Sequence, residues 1–194
     1  FHVYNSNPSI IKKIHQIKDK FIDVCITLTT EKIQYHSRIN VDFACRRFIA
    51  VSKIIEHLDA PMIIVDADVL FRKNWSDWVG EDGKAADIIY SGHNAVPFWE
   101  KVPAYFVYIK NSKNAIKYIK TAANFILNNI NKKNYIWFLD QIALSACLDK
   151  IDKEKTKIIA RPFLVDINHQ EESMCWAVTT SKSNSIKYNE YKNS

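Results

Sequence analysis

The feature that most constrains this chain is Pro61-Met62-Ile63-Ile64-Val65, five apolar residues opened by a proline and closed by Asp66-Ala67-Asp68. A short apolar run of this kind, without polar alternation, suits a strand buried on both faces of a sheet. Such a strand needs a covering layer on each side, which restricts the chain to layered α/β architectures. Asp66 and Asp68 then fall at the strand's carboxyl end, the edge at which open α/β sheets bind ligands. Residues two apart on extended chain project to the same side, and two carboxylates converging on one point are made comfortable by a cation. Oxygen ligands suit magnesium, manganese or calcium, and one or two carboxylates with open positions is a common arrangement where a metal meets a phosphate. An equally simple reading has the two acids capping the turn that follows the strand.

The flanking segments repeat the alternation of short strands and amphipathic helices. Phe1 to Tyr4 reads as a strand, Ile10, Ile14 and Ile17 recur at helical spacing up to Lys20, and Ile22 to Leu28 resumes as a strand, giving one βαβ unit. After a polar stretch from Thr29 to Asn40, Ala44, Phe48, Val51, Ile55 and Leu58 mark the buried face of a helix from about Asp42 to Leu58. Arg46 lies well off that face and is expected in solvent. Arg47 falls near its seam, where a guanidinium either finds an anion or extends its head to water.

Downstream of Val69-Leu70-Phe71 come a tryptophan-bearing polar segment to Trp78 and a turn at Glu81 to Lys84. A strand from Ala86 to Tyr90 runs into a loop at Ser91 to Asn94, and a second strand spans Ala104 to Ile109. Ser112 is a good N-cap for a helix with Ala115, Ile119, Ala122, Ile126 and Ile130 on its buried stripe. Trp137-Phe138-Leu139 leads to Asp140-Gln141 and a helix from Ile142 to Leu148, with Asp140 readable as its N-cap. A strand broken at Arg161-Pro162 spans 158–165, followed by Asp166 and His169. The segment from Ser181 onward is rich in Lys, Asn and Ser and is expected to be extended or frayed.

Composition narrows the function classes. With 194 residues and 47% hydrophobic content, residues 1–180 make one α/β domain and 181–194 a polar tail. The net charge of +6 suits an anionic ligand such as a nucleotide diphosphate, but the lysines are scattered, which argues against nucleic acid. Cys25, Cys45, Cys147 and Cys175 show no CxxC pairing and read as reduced core residues of a cytoplasmic protein. No apolar run has membrane-spanning length, and the start at Phe1 suggests a piece of a longer chain with other domains. Only three glycines are present and no glycine-rich phosphate loop, which removes the Rossmann and P-loop routes to nucleotide binding.

Arg47 to Val51, then Ile63 to Arg72 with Asp66-Ala67-Asp68 at its centre, resembles the helix, strand and Asp-x-Asp core of A-type-fold glycosyltransferases that use nucleotide sugars. The likeness is to family-8-like transferases and related bacterial transferase domains. Tyr105 to Ile109 with Asn111-Ser112, and Phe138 to Leu144, match later landmarks in the right order, so the resemblance covers roughly residues 1–170. It implies a mixed, mainly parallel sheet flanked by helices and lacking the family's first strand. It also implies a divalent cation, manganese or magnesium, held by Asp66 and Asp68 with His169 as third ligand. Arg47 would lie near the donor, and Asp140 and Gln141 would line the sugar pocket, Asp140 positioning hydroxyls or stabilising positive character at the anomeric carbon. The implied activity is transfer of a sugar, of hexosyl type, from a nucleotide-diphosphate sugar to a glycan, lipid or protein hydroxyl. The alternative is a degenerate domain of the same fold that binds a glycan or a protein.

Overall fold

The computed structural model describes residues 2–20, 28–66, 68–74, 84–92, 96–161, 164–178 and 186–193. The expected strand residues 22–27, the Trp75 to Gly83 segment, the loop at 93–95 and the break at 162–163 lie outside them, as does Cys25.

The chain opens with β1 (His2–Tyr4), α1 (Pro8–Lys20) and β2 (Thr29–Glu31), and β2 pairs in parallel with β1, His2 opposite Thr29. The βαβ connection is as expected, but the described partner strand lies in the stretch read as polar loop. Two threonines favour the extended backbone there despite their polarity. Asn7 starts α1 by accepting the Ile10 amide, at 3.0 Å, on its side-chain oxygen.

Next come α2 (Ile39–Ile54), a 3₁₀ turn at Ile55–His57 and β3 (Met62–Val65). Then β4 (Leu70–Phe71), β5 (Ile88–Ser91) and β6 (Phe106–Ile109) lead to α3 (Lys113–Asn131) and α4 (Leu139–Leu148). The chain finishes with β7 (Ile158–Arg161), β8 (Val165–Asp166), β9 (Cys175–Trp176) and α5 (Ile186–Asn193). The tail expected to be extended is therefore helical over α5, because Tyr188 finds a buried site, 3% exposed, against the domain.

The central sheet has the order β3-β6-β5-β7, with β6 antiparallel to β3 and β5, and β7 parallel to β5. A second sheet, β4-β9-β8, has one antiparallel and one parallel pairing. The architecture is mixed α/β as expected, but among the described residues it has no parallel majority. Inserting β6 between two strands of opposite direction to itself brings the carboxyl ends of β3, β5 and β7 to one edge, together with the amino end of β6.

Both faces of the central sheet are covered, which explains the unbroken apolar run of β3. Ile64, Ile88, Val107 and Ile109 pack with Phe48, Ile119, Ile126 and Leu144 of the helical layer. Their neighbours Ile89, Phe106 and Tyr108 point the other way, into a smaller core with Leu164, Val165 and Cys175. So α2, α3 and α4 cover one face and the β4-β9-β8 sheet lies against the other, rather than helices on both sides. Complete burial of Phe48, Ile119 and Ile126 contributes about 1.5–3 kcal/mol of transfer free energy each. Ser112 caps α3 as its sequence suggested, accepting the Ala115 amide at 3.3 Å.

Two expectations on α2 change. Leu58 falls beyond the helix and is 41% exposed. Arg46 is not free in solvent: its Nε donates to Asp42 at 2.6 Å and its Nη1 to Glu31 at 2.5 Å, tying α2 to β2. Burying Val41 and Cys45 turns the Arg46 side of the helix toward the first two strands.

Candidate active site

Asp66 leaves β3 at the edge where the strand ends gather. Its amide donates to the Tyr105 carbonyl at 3.2 Å, and its own carbonyl accepts the Val69 amide at 3.1 Å, the hydrogen bond of a turn. Asp68 lies exposed in that turn, and its carbonyl accepts the Tyr188 hydroxyl at 2.5 Å. The sequence-predicted acids are thus both at the sheet edge, and the helical tail fastens the backbone between them and β4.

Arg47 organises the rest. One guanidinium nitrogen, Nη1, contacts Asp66 Oδ1, while Nη2 donates to the Ala104 carbonyl at 3.0 Å and approaches Asp140 Oδ2 at 3.4 Å. Its Cζ lies 5.0 Å from the Phe48 ring centre. Burial weakens the guanidinium's hold on its proton, opposed chiefly by the charge of Asp140, and the field of Asp68 also reaches it. An arginine remains protonated under such conditions, so Arg47 stands as a cation between the acids.

Asp140 is 7% exposed and lies in the first turn of α4, two residues past the N-cap instead of at it. Phe138 precedes the helix instead, at φ 66°, a left-handed backbone unusual for a bulky residue. Asp140 Oδ1 accepts the Gln141 amide at 2.8 Å. Burial pushes the carboxyl above the usual carboxylate range, and Arg47 is the largest influence pulling it back.

These groups line two adjoining cavities. One, about 210 Å³, is bounded by Cys45, Arg47, Asp66, Tyr105, Trp137 and Asp140, with Phe138 and Gln141 on its wall. The other, about 490 Å³, shares Asp66, Tyr105, Phe138 and Gln141 and adds Glu100, Asp166 and Asn168. Cys45 is no nucleophile here: it is fully buried, and desolvation with the nearby Asp140 charge pushes its thiol far up. Cys45, Cys147 and Cys175 are all buried and free.

The structure does not bring His169 into this group. The residue is 4% exposed, its Nε2 lies 2.9 Å from the Ala177 carbonyl, and its ring packs against Trp176 and Tyr188. Among the described residues no three ligating side chains gather as a metal cage. Asp66 is half-exposed, contacts Arg47 and borders both cavities, whereas Asp68 is exposed and borders neither. Carboxylate oxygens of this kind would suit magnesium or manganese completed by phosphate and water, rather than an all-protein site. Asp166, in the larger cavity, spends its two oxygens on the Asn168 and Gln170 amides, each at 2.8 Å, as a turn cap.

Sequence reasoning missed Tyr105, Trp137 and Phe138 as wall residues. Tyr105 read only as part of an alternating strand, and the left-handed backbone of Phe138 has no sequence signal. The two exposed aromatics before an acid-led helix were the available clue.

No helix among the described residues is long and apolar enough to cross a membrane. No family model and no curated protein matches the sequence. Among solved structures, the chain is similar to a glycosyltransferase involved in the glycosylation of the major capsid of PBCV-1, with a TM-score of 0.59 at 9% identity. That match spans 98% of this chain and 97% of the other. A likeness of that extent at so low an identity establishes a shared fold: the chain has the mixed α/β architecture of that transferase over nearly its whole length.

Proposed function

We propose that this chain is a metal-dependent glycosyltransferase domain that moves a sugar from a nucleotide-diphosphate sugar to an acceptor hydroxyl. One observation carries the reading: Arg47 draws Asp66 of the β3 edge and Asp140 of α4, 74 positions apart, into one cleft wall. Convergence of a strand-end acid, a buried helix-start acid and a desolvated guanidinium is costly to fold and is the pattern of a site. The shared fold with a transferase adds support.

In this reading Asp66 and Asp68 hold a magnesium or manganese ion, which when bound supplies Lewis-acid stabilisation of the departing diphosphate. Arg47 contributes a fixed positive charge next to the phosphates and opposes the upward pull of burial on the Asp140 carboxyl. Asp140, with Gln141, positions sugar hydroxyls and stabilises positive character at the anomeric carbon. The free, buried cysteines are consistent with a cytoplasmic setting, and the acceptor is a glycan, lipid or protein.

Thermal shift and hydrolysis assays with uridine and guanosine diphosphate sugars, with and without manganese, test it. The expected result is a metal-dependent shift lost in Asp68→Ala, and turnover lowered by roughly 10²–10³ in Asp140→Asn. A second reading, a non-catalytic binding domain, is favoured by the Arg47 guanidinium already neutralising Asp66. It predicts no shift with any nucleotide and metal.

A further inference from the structure

The segment before α4 carries an unusual concentration of uncovered apolar surface: Ile136 is 49% exposed, Trp137 61% and Phe138 38%. The aromatic pair makes a T-shaped contact, ring centres 5.9 Å apart, so each ring covers at most one face of the other. Phe138 is held there by a left-handed backbone, a conformation disfavoured for a non-glycine residue that the fold nevertheless keeps. On the same segment, Tyr135 stacks on His36 at 4.2 Å, which anchors the loop to the residues leading into α2.

The surface is continuous with the cleft. Trp137 and Phe138 both border the cavity that holds Arg47, Asp66 and Asp140, and Phe138 also borders the larger one. An open indole face beside carboxylate and carboxamide groups is suited to a pyranose ring. The axial C–H face of the sugar meets the negative face of the ring system, while its equatorial hydroxyls stand toward the polar rim of the cleft.

The geometry points to Trp137, with Phe138 beside it, as a stacking platform for a sugar ring of the acceptor, at the mouth of the Arg47–Asp66–Asp140 cleft. This rests on the glycosyltransferase reading and narrows it: the acceptor is a glycan rather than a bare protein or lipid hydroxyl.

Saturation-transfer difference NMR with methyl glucoside, galactoside, mannoside and N-acetylglucosaminide, on metal-free protein without nucleotide, tests the platform by itself. At least one glycoside should receive saturation mainly at the C–H protons of one ring face. Trp137→Ala should reduce that signal at least fivefold and Trp137→Phe should restore most of it. Absence of signal with every glycoside, or signal unchanged in folded Trp137→Ala, overturns the proposal. So does loss of concentration-dependent self-association in Trp137→Ala with no sugar signal in the parent, which would make the surface an interface between copies of the chain. Failure here with an intact manganese-dependent nucleotide shift removes only the glycan acceptor; failure of the nucleotide shift with sugar stacking intact removes the transferase reading and leaves a glycan-binding domain.

Discussion

Replacing Arg47 by Met keeps the length and apolar stem of the side chain and removes its charge. Asp140 is then left with backbone donors, the Gln141 amide at 2.8 Å and its own amide, and without the cation that faced it at 3.4 Å. Removing one partner of a buried ion pair costs about 3–5 kcal/mol. The Arg47 and Asp140 side chains are 23% and 10% exposed, so the lower end of that range applies. The Asp66 contact adds little, at most about 1 kcal/mol, because that carboxylate is 37% exposed and water can replace the guanidinium. The expected deficit is therefore about 3 kcal/mol at pH 7, or a fall in Tm on the order of 6–12 °C for a chain of this size.

The pH dependence follows from the direction of the Asp140 shift. Its carboxyl is already raised by burial with Arg47 present, and losing Arg47 raises it further. The folded state then binds a proton more tightly than the unfolded chain, so stability is fullest below the unfolded pKa and is lost as pH rises through the folded one. The deficit of Arg47→Met should thus be small near pH 4 and full at pH 7. Urea unfolding across that range, with Asp140→Asn in both backgrounds, measures it. The double variant should recover about 1.5–3 kcal/mol relative to additivity. A deficit that stays the same at every pH, or strict additivity with Asp140→Asn, would refute the view that the guanidinium compensates a buried carboxylate.

Other consequences are more local. Tyr188→Phe removes the hydroxyl that donates to the Asp68 carbonyl and should cost about 1 kcal/mol, with faster amide exchange over residues 68–71. Ser112→Ala removes the α3 cap and should destabilise by roughly 1 kcal/mol in denaturant unfolding; Ser112→Asp should lose more than a typical cap exchange, since the hydroxyl also contacts Asp87. Phe48→Ala empties a fully buried site beneath Arg47 and should cost about 3–5 kcal/mol, together with a weaker nucleotide-induced thermal shift as Arg47 loses its backing.

The layers of this protein were legible in local chemistry. Alternating apolar strands and helices with a 3.6-residue period require faces to be covered, whatever the order of the strands, and α1, α2, α3, β3 and β6 all fall close to where periodicity put them. The Asp66 and Asp68 positions followed from the same argument, because a strand's carboxyl end is fixed once the strand is. Strand direction was not legible: a run of four apolar residues reads the same in either sense, and only the pairing of Val65 with Phe106 and Ile88 with Ile109 made the sheet mixed. Nor was the helical tail, since its polar sequence gives little local drive and Tyr188 finds its site only once His169 and the Asp68 turn are assembled.

The site divides along the same line. Sequence placed an arginine at the seam of α2 and an acid at the head of α4, each explicable alone as a solvated side chain or a helix cap. Tertiary structure joined them, because burying α2 and α4 against one sheet leaves the guanidinium little water, and Asp66 and Asp140 are the carboxylates it contacts. It equally separated His169, whose ring was drawn into an aromatic cluster by Trp176 and Tyr188. Residue types and periods decide which groups a chain can bury; which of them meet is decided only when desolvation forces each buried charge to find a partner.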